Sequence, residues 1–255
     1  MPTTSSNIKL SNAPLQEVIL DIKWNLDFDT DSQLFIDTGF AEAVLKFSSL
    51  VSRDHFTSFE ILRPEILPNI AFNYKPVYRF RKPDLRFPLY QLGPGIFSIN
   101  SNNEHYTWEG YYELVQKGVQ FLQASYAKPL VIKSIELRYI DNVPINILGD
   151  TDKFEFLEKH LNVKAEKYSF TEGSLEGINF IKKFKINDTT FLNIDIATGY
   201  DTENKQEGVT WHTIVYCIEN ILWSDFNNWL NEAHQIASET FKKMINKPLY
   251  DKFSN

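Results

Sequence analysis

The stretch "APLQEVILDIKW", residues 13–24, alternates apolar and polar side chains with a period of two. Val18, Leu20 and Ile22 fall on one face of an extended chain, and Glu17 falls on the other. This alternation predicts a β-strand that packs one face on a core and leaves the other partly exposed. We therefore expect the fold to be organised around a sheet that contains this strand.

The segments that follow predict a helix over residues 32–50, two strands, a second helix and a further strand that ends near residue 143. Thr107 is the expected N-cap of the second helix, because its hydroxyl can accept a hydrogen bond from the first turn. The order strand-helix-strand-strand-helix-strand is that of a split βαβ unit. We predict a ferredoxin-like half from it.

The second half of the chain has a different pattern. A short helix at 152–161 precedes four strand-like runs, which predict an antiparallel meander. A long amphipathic helix with Ser224 as its cap closes the chain. The predicted fold class is α+β. Its expected organisation is a polar N-terminal segment (1–12), a ferredoxin-like half (13–148) and a meander with a terminal helix (149–255). Alternatively, the two halves form one continuous domain.

Composition limits the classes of function. The net charge is -7, which argues against general nucleic-acid binding, and 43% of the residues are hydrophobic, which is enough for a sizeable core. No apolar run approaches the roughly 18 residues of a membrane span, and the N-terminus has no signal-peptide pattern, so we expect a cytoplasmic protein without a membrane segment. Cys217 is the single cysteine and lies in an apolar stretch, where a buried, inert thiol is expected.

One segment departs from this acidic balance. "YRFRKPDLRF", residues 78–87, places four cations among aromatic residues. In an extended chain Arg79 and Arg81 project from one face and Phe80 from the other. The two guanidinium groups, about 7 Å apart, can clamp a phosphate or the carboxylates of a partner. Alternatively, they pair with this protein's own carboxylates at the edge of a sheet.

The residues predicted to bind a partner have cationic or aromatic side chains. They are Tyr78, Arg79, Arg81, Lys82, Arg86 and Trp108. For Trp108 a position in the core is the alternative.

Other residues carry weaker patterns. Glu17, Asp21, Glu136 and Arg138 form one polar group if their strands are neighbours; a structural ion-pair group and an acid–base site are the two interpretations. The histidines occur singly, without the spacing of a zinc site. No metal or cofactor is predicted and catalytic residues are not assigned; whether the protein is an enzyme stays open, with a protein without catalytic activity favoured.

Several short segments, taken together, resemble a known family. They are "APLQEV", "YRF", "LYQLGPG", "WEGY", "LRYIDN" and the closing helix with His234 and Phe241. In this order the set resembles a sporadically distributed bacterial family of unassigned activity, over residues 13–253. Asp141 lies where polar variation is expected. The patchy distribution implies a role in phage defence or in a toxin–antitoxin-like pair, and the resemblance supplies no catalytic residues.

The expected function is therefore a non-catalytic, cytoplasmic binding or scaffold protein. Its expected partner is another protein, a second copy of the chain or an anionic ligand, bound through the segment from Tyr74 to Arg86. The alternative is an RNA-binding protein or nuclease that uses the same basic and aromatic face. A third possibility is a small-molecule enzyme that uses Glu17 or Glu136.

Overall fold

The computed structural model describes residues 10–64, 67–104, 106–164, 176–201, 206–218 and 221–254. These residues form eleven strands and five α-helices. The strands are β1 (Leu15–Trp24), β2 (Asp27–Asp29), β3 (Leu34–Ile36), β4 (Ser58–Ile61), β5 (Tyr78–Arg81), β6 (Leu89–Gly93), β7 (Ile96–Ser101), β8 (Ile132–Pro144), β9 (Asn179–Lys185), β10 (Thr190–Asp201) and β11 (Gln206–Ile218). The helices are α1 (Phe40–Arg53), α2 (Trp108–Ser125), α3 (Lys153–His160), α4 (Phe226–Met244) and α5 (Lys247–Ser254).

Nine of the strands form one antiparallel sheet in the order β4-β5-β6-β7-β1-β8-β11-β10-β9. β2 and β3 form a separate hairpin. The first strand read from the sequence, β1, lies at the centre and pairs with β7 and β8. Since β8 also pairs with β11, the sheet is continuous across the boundary between the two predicted halves. The protein is thus a mixed α and β fold with a large antiparallel sheet and a C-terminal helix.

One face of the sheet is covered by the helices. Val18, Leu20 and Ile22 of β1 are completely buried there. They belong to a first hydrophobic cluster, to which α1, α2 and the first half of α4 contribute. A second cluster joins α3, the end of α4 and α5 to β8, β10 and β11. The alternation in β1 therefore sorts the two faces as the sequence predicts.

The first helix begins later than predicted. Residues 34–36, inside the helix expected over 32–50, form β3, and α1 begins at Phe40 after Gly39. The Asp37 carboxylate accepts hydrogen bonds from the Trp24 indole, 3.2 Å away, and from the Tyr126 hydroxyl, 2.9 Å away. These partners are distant in sequence and hold residue 37 outside the helix, so periodicity alone predicts the start wrongly.

Other predictions are confirmed. The Thr107 hydroxyl caps α2 by accepting from the backbone N–H of Gly110 at 3.1 Å. Cys217 is buried, and burial raises the pKa of its thiol. The closing helix α4 is present, although its N-cap is Asp225, which follows the predicted Ser224.

Three of the four strand-like runs of the second half are β9, β10 and β11. The remaining run, residues 164–170, lies outside the described residues except for Lys164. Among the helices in the described part of the chain, none has both the length and the apolar character needed to cross a membrane.

Candidate functional site

The two arginines predicted to bind a partner lie on the sheet face opposite the helices and contact an acid of this chain. Arg79 and Arg81 of β5 both donate to Glu60 Oε2 on the edge strand β4, at 3.1 Å and 2.8 Å. Arg79 also lies near the amide oxygen of Gln91 on β6. This is the arrangement that the alternative of internal pairing requires.

The other predicted residues are distributed among different surroundings. Tyr78 packs between α1 and β4, where its ring stacks on that of Phe59 at 5.3 Å. Lys82 lies over the ring of Phe56, and Arg86 over the ring of its neighbour, Phe87. Trp108 is at the start of α2 and lines a cavity that none of the other five residues lines. The structure therefore does not bring the predicted binding residues together in one place.

The polar group of Glu17, Asp21, Glu136 and Arg138 is assembled on the sheet face opposite the helices. Asp21 lies opposite Glu136 in the pairing of β1 with β8, and Glu136 accepts from Arg138. Asp21 accepts from Ser98, and Glu17 accepts from Asn100. Burial raises the pKa of Asp21. Each acid has a partner within the protein, which is typical of a structural network.

The cavity lined by Trp108 lies between the two hydrophobic clusters. Along β8, Leu137 belongs to the first cluster and Val143 to the second, and along β11, Val215 and Trp211 do the same. The cavity measures about 470 Å³, within the range of small-molecule sites. Its walls are the chain around Pro14, the start of α2, the middle of β8 and β11, the second half of α4 and the first turn of α5. Its lining residues are Leu10, Ala13, Pro14, Leu15, Asn103, Tyr106, Thr107, Trp108, Glu109, Tyr139, Asp141, Thr213, His234, Ala237, Ser238, Phe241, Lys242 and Tyr250.

A chain of hydrogen-bonded rings forms part of this wall. The hydroxyls of Tyr106 and Tyr139 are 2.9 Å apart, and the Tyr139 hydroxyl is 2.8 Å from Nδ1 of His234. The His234 ring stacks on Trp108, with centroids 3.8 Å apart and planes 7° from parallel. Burial lowers the pKa of His234 to about 4 and raises that of Tyr139 well above its ordinary value. At neutral pH both groups are therefore uncharged.

Asp141 on β8 is the buried acid of the cavity. Only 5% of the residue is exposed, and burial raises the pKa of its carboxyl to about 7, against a smaller opposing effect of the Trp211 indole. Trp211 is its neighbour in the pairing of β8 with β11. Within the described part of the chain, no lysine, arginine or histidine forms an ion pair with Asp141. Its negative charge, when present, is thus not compensated by a cation of the described chain.

Thr213 on β11 lies beside this acid. It is opposite Tyr139 in the strand pairing, and 1% of it is exposed. Its hydroxyl has no hydrogen-bond partner among the described residues. A buried hydroxyl without a partner costs about 1 to 3 kcal/mol. Both Asp141 and Thr213 are thus buried polar residues in the lining of the cavity.

No family model, curated protein or solved structure matches this chain. The assignment of the site therefore rests on its own geometry. Among the described residues, no group of three or more histidine, cysteine, aspartate or glutamate side chains is arranged to hold a metal ion.

The sequence contains a signal for this site in the alternation of β8 and β11. Asp141 falls in the row of Leu137 and Val143, which face the core, and Thr213 falls between Trp211 and Val215 in the corresponding row of β11. A polar residue within an apolar row indicates either a buried network or a cavity. The paired charges of Glu136 and Arg138, by contrast, lie on the opposite face of the sheet.

Proposed function

We propose that this protein is a non-catalytic binding protein whose ligand is a small organic molecule held in the cavity between α2, α4 and the sheet. The observation that carries the proposal is the presence of Asp141, a buried acid without a cationic partner among the described residues, in the lining of a cavity of about 470 Å³. Binding sites of this kind combine apolar walls with a few convergent polar groups.

The lining of the cavity differs from the rest of β8 and β11 in the polarity of its buried side chains. Everywhere else along the same rows of β8 and β11 the buried side chains are apolar or aromatic and belong to a cluster. An acid with a raised pKa and an unpaired hydroxyl lower the stability of the unliganded protein. A ligand that supplies a partner for the Asp141 carboxyl offsets part of this cost.

We propose a non-catalytic role because the hydrogen-bonded rings of Tyr106, Tyr139 and His234 are held in place by contacts with one another. Trp108 covers one face of the His234 ring and Tyr139 engages Nδ1, while the lowered pKa keeps the imidazole neutral. His234 is thereby suited to shaping the wall of the cavity rather than to accepting a proton from a bound molecule at neutral pH.

The test is native mass spectrometry of the protein purified at low salt from its own host. We expect an added small mass, and we expect Ser238→Trp, which fills the cavity from α4, to abolish it. Gln235→Trp is the matched control, since residue 235 is on an exposed part of the same helix and outside the cavity lining. A wild-type protein that carries no small molecule and is not stabilised by any compound of a metabolite library would contradict the proposal.

We also propose, from the sequence, a protein partner or a second copy of the chain at the segment from Tyr74 to Arg86. Arg79→Glu combined with Arg81→Glu tests it: weaker capture of a partner supports a protein surface, and loss of salt-sensitive RNA binding supports the RNA alternative. Unchanged binding of both kinds contradicts both. The pairing of these arginines with Glu60 reduces the charge they offer to RNA. A cytoplasmic location and a role in phage defence or in a toxin–antitoxin-like pair stay predictions.

We propose in addition that residues 13–148 form a ferredoxin-like unit. Its support is the strand order β8-β1-β7-β6, with α1 after β1 and α2 before β8, which is the arrangement of a split βαβ unit. β5 and β4 then extend this unit at one edge, and β11 continues it at the other.

A further inference from the structure

We propose that the ligand of the cavity is a small organic amine in its protonated form, held by the carboxylate of Asp141. This inference rests on the proposed function and adds the chemical class of the ligand. It is drawn from the charges and ring systems that line the cavity.

Asp141 lies on the floor of the cavity and has no cationic partner in the described part of the chain. A carboxylate in such surroundings is stabilised strongly by a cation that can also donate hydrogen bonds. An alkylammonium group does both.

Five aromatic side chains line the cavity, and the faces of aromatic rings attract cations. They are Tyr106, Trp108, Tyr139, Phe241 and Tyr250. The same rings provide apolar contact for the carbon part of an amine. The cavity thus matches both ends of such a molecule.

The charges that line the cavity disfavour an anionic ligand. The acids that line the cavity are Asp141 from β8 and Glu109 from α2, and the basic residue is Lys242 from α4. Glu109 and Lys242 are exposed, so solvent weakens their effect. A carboxylate or phosphate placed on the floor would meet Asp141 as a like charge, and His234, which is neutral, would not compensate it.

The proposal predicts a pH dependence of binding. The amine binds the ionised carboxylate, and the pKa of Asp141 in the free protein is about 7. Affinity for the amine is therefore expected to rise about tenfold between about pH 6 and about pH 8. His234, with a pKa of about 4, keeps its charge state over this range, as do Tyr106 and Tyr139, whose pKa values are raised. Glu109 and Lys242 are the other charged groups that face the cavity, and Tyr250 faces it from α5.

The experiment is isothermal titration calorimetry of the full-length protein with three probes of similar size: phenethylamine, phenethyl alcohol and hydrocinnamate. We expect phenethylamine to bind most tightly. Asp141→Asn is expected to weaken its binding roughly a hundredfold. Asp21→Asn is the matched control, because it removes another carboxyl with a burial-raised pKa that lies on the opposite face of the sheet, and we expect it to leave binding unchanged.

Several results would overturn the inference. They are equal affinity for the amine and the alcohol, equal amine affinity of wild type and Asp141→Asn, or an amine affinity that does not change with pH in the wild type. The wild-type pH measurement decides the matter even if Asp141→Asn fails to fold. If the alcohol or the acid binds and the amine does not, the cavity remains a binding site and the ligand class is wrong. If none of the three probes binds, the amine inference is wrong, and native mass spectrometry with the metabolite library then decides whether the cavity is a binding site.

Discussion

The alternation of β8 places Asp141 in a row of apolar and aromatic side chains. β8 turns Leu137, Tyr139 and Val143 toward the helices, and the aspartate follows the same alternation. Its burial is thus a direct consequence of the two-residue period of a strand. A carboxyl group held in this way responds to pH in the opposite sense from the surface acids that usually stabilise a fold by ionising.

Asp141→Asn is expected to change the pH dependence of stability. The folded-state pKa of Asp141, about 7, is above the ordinary value of 3.8, so between these pH values the folded protein binds more protons than the unfolded chain. The free energy of unfolding contributed by this group therefore falls as pH rises through that window, by about 4 kcal/mol in total. Urea unfolding from about pH 5 to about pH 8 should show the variant gaining stability relative to wild type. Parallel curves would contradict this.

Thr213→Val is expected to stabilise the unliganded protein. The substitution keeps the shape of the side chain and removes the buried hydroxyl that has no partner among the described residues. We expect the free energy of unfolding to rise by about 1 kcal/mol. Thr213→Ser is the control, because it keeps the hydroxyl, removes a methyl group and should lower stability by about the same amount. A valine variant less stable than wild type in urea would show that the hydroxyl is satisfied.

The apolar row of β8 could be predicted from the sequence, but the cavity could not. A two-residue period places Asp141 with Leu137 and Val143, and this much is visible in "IELRYIDNV". Trp108 is at the start of α2 and His234 is in the middle of α4, more than a hundred positions later in the chain. Their rings are nevertheless stacked. Such a contact depends on how the helices cross the sheet, which no local pattern specifies.

At the scale of elements, α2 packs on the sheet at Gly118 without room for a larger side chain. Gly118 faces β6 and β7, and a Cβ atom there would lie 2.7 Å from the Tyr90 ring and 3.1 Å from Phe97 and Ile99. The Tyr90 ring is held by its hydroxyl, which donates to the Leu114 carbonyl oxygen at 3.0 Å. The glycine therefore permits the approach of helix and sheet that closes the first hydrophobic cluster.

Gly118→Ala is expected to lower the free energy of unfolding by about 1 to 2 kcal/mol. Alanine improves helix propensity by about 1 kcal/mol, but the crowding against Tyr90 costs more. Ala124→Gly, at an exposed position of the same helix, measures the propensity effect separately. Thermal or urea unfolding of the two variants supplies the comparison, and a more stable Gly118→Ala protein would show that the sheet yields at this point.

The starts of α1 and α2 show which helix boundaries local sequence patterns can predict. The cap of α2 is predicted correctly because Thr107 acts on a residue three positions away. The start of α1 is predicted wrongly because Asp37 is bound by Trp24 and Tyr126, which the fold brings to it. Interactions within one turn can be predicted from the sequence, whereas those that cross between elements require the structure.

At the scale of the whole molecule, β8 is the shared element. It pairs with β1 on one side and β11 on the other, and α4 contributes side chains to both hydrophobic clusters. Division of the chain between residues 148 and 149 would expose one edge of β8 and remove α4 from the first cluster. The two halves seen in the sequence are thus joined by both the sheet and the core.

We expect a single cooperative unfolding transition. Far-UV circular dichroism and methyl proton signals should report the same urea midpoint, because neither half has a complete core of its own. Separately expressed fragments 1–148 and 149–255 should lack dispersed methyl signals. Two transitions with different midpoints, or a folded fragment 149–255, would show that the halves are independent domains.

The parallel stack of Trp108 on His234 gives the cavity an intrinsic optical reporter. Of the five tryptophans in the chain, Trp108 is the one that lines the cavity. An occupant that separates the two rings alters the emission of this indole, and Trp108→Phe deletes that response while the other four tryptophans continue to emit. The stack therefore allows the entry of a colourless, unlabelled molecule to be followed in real time through the change in Trp108 fluorescence.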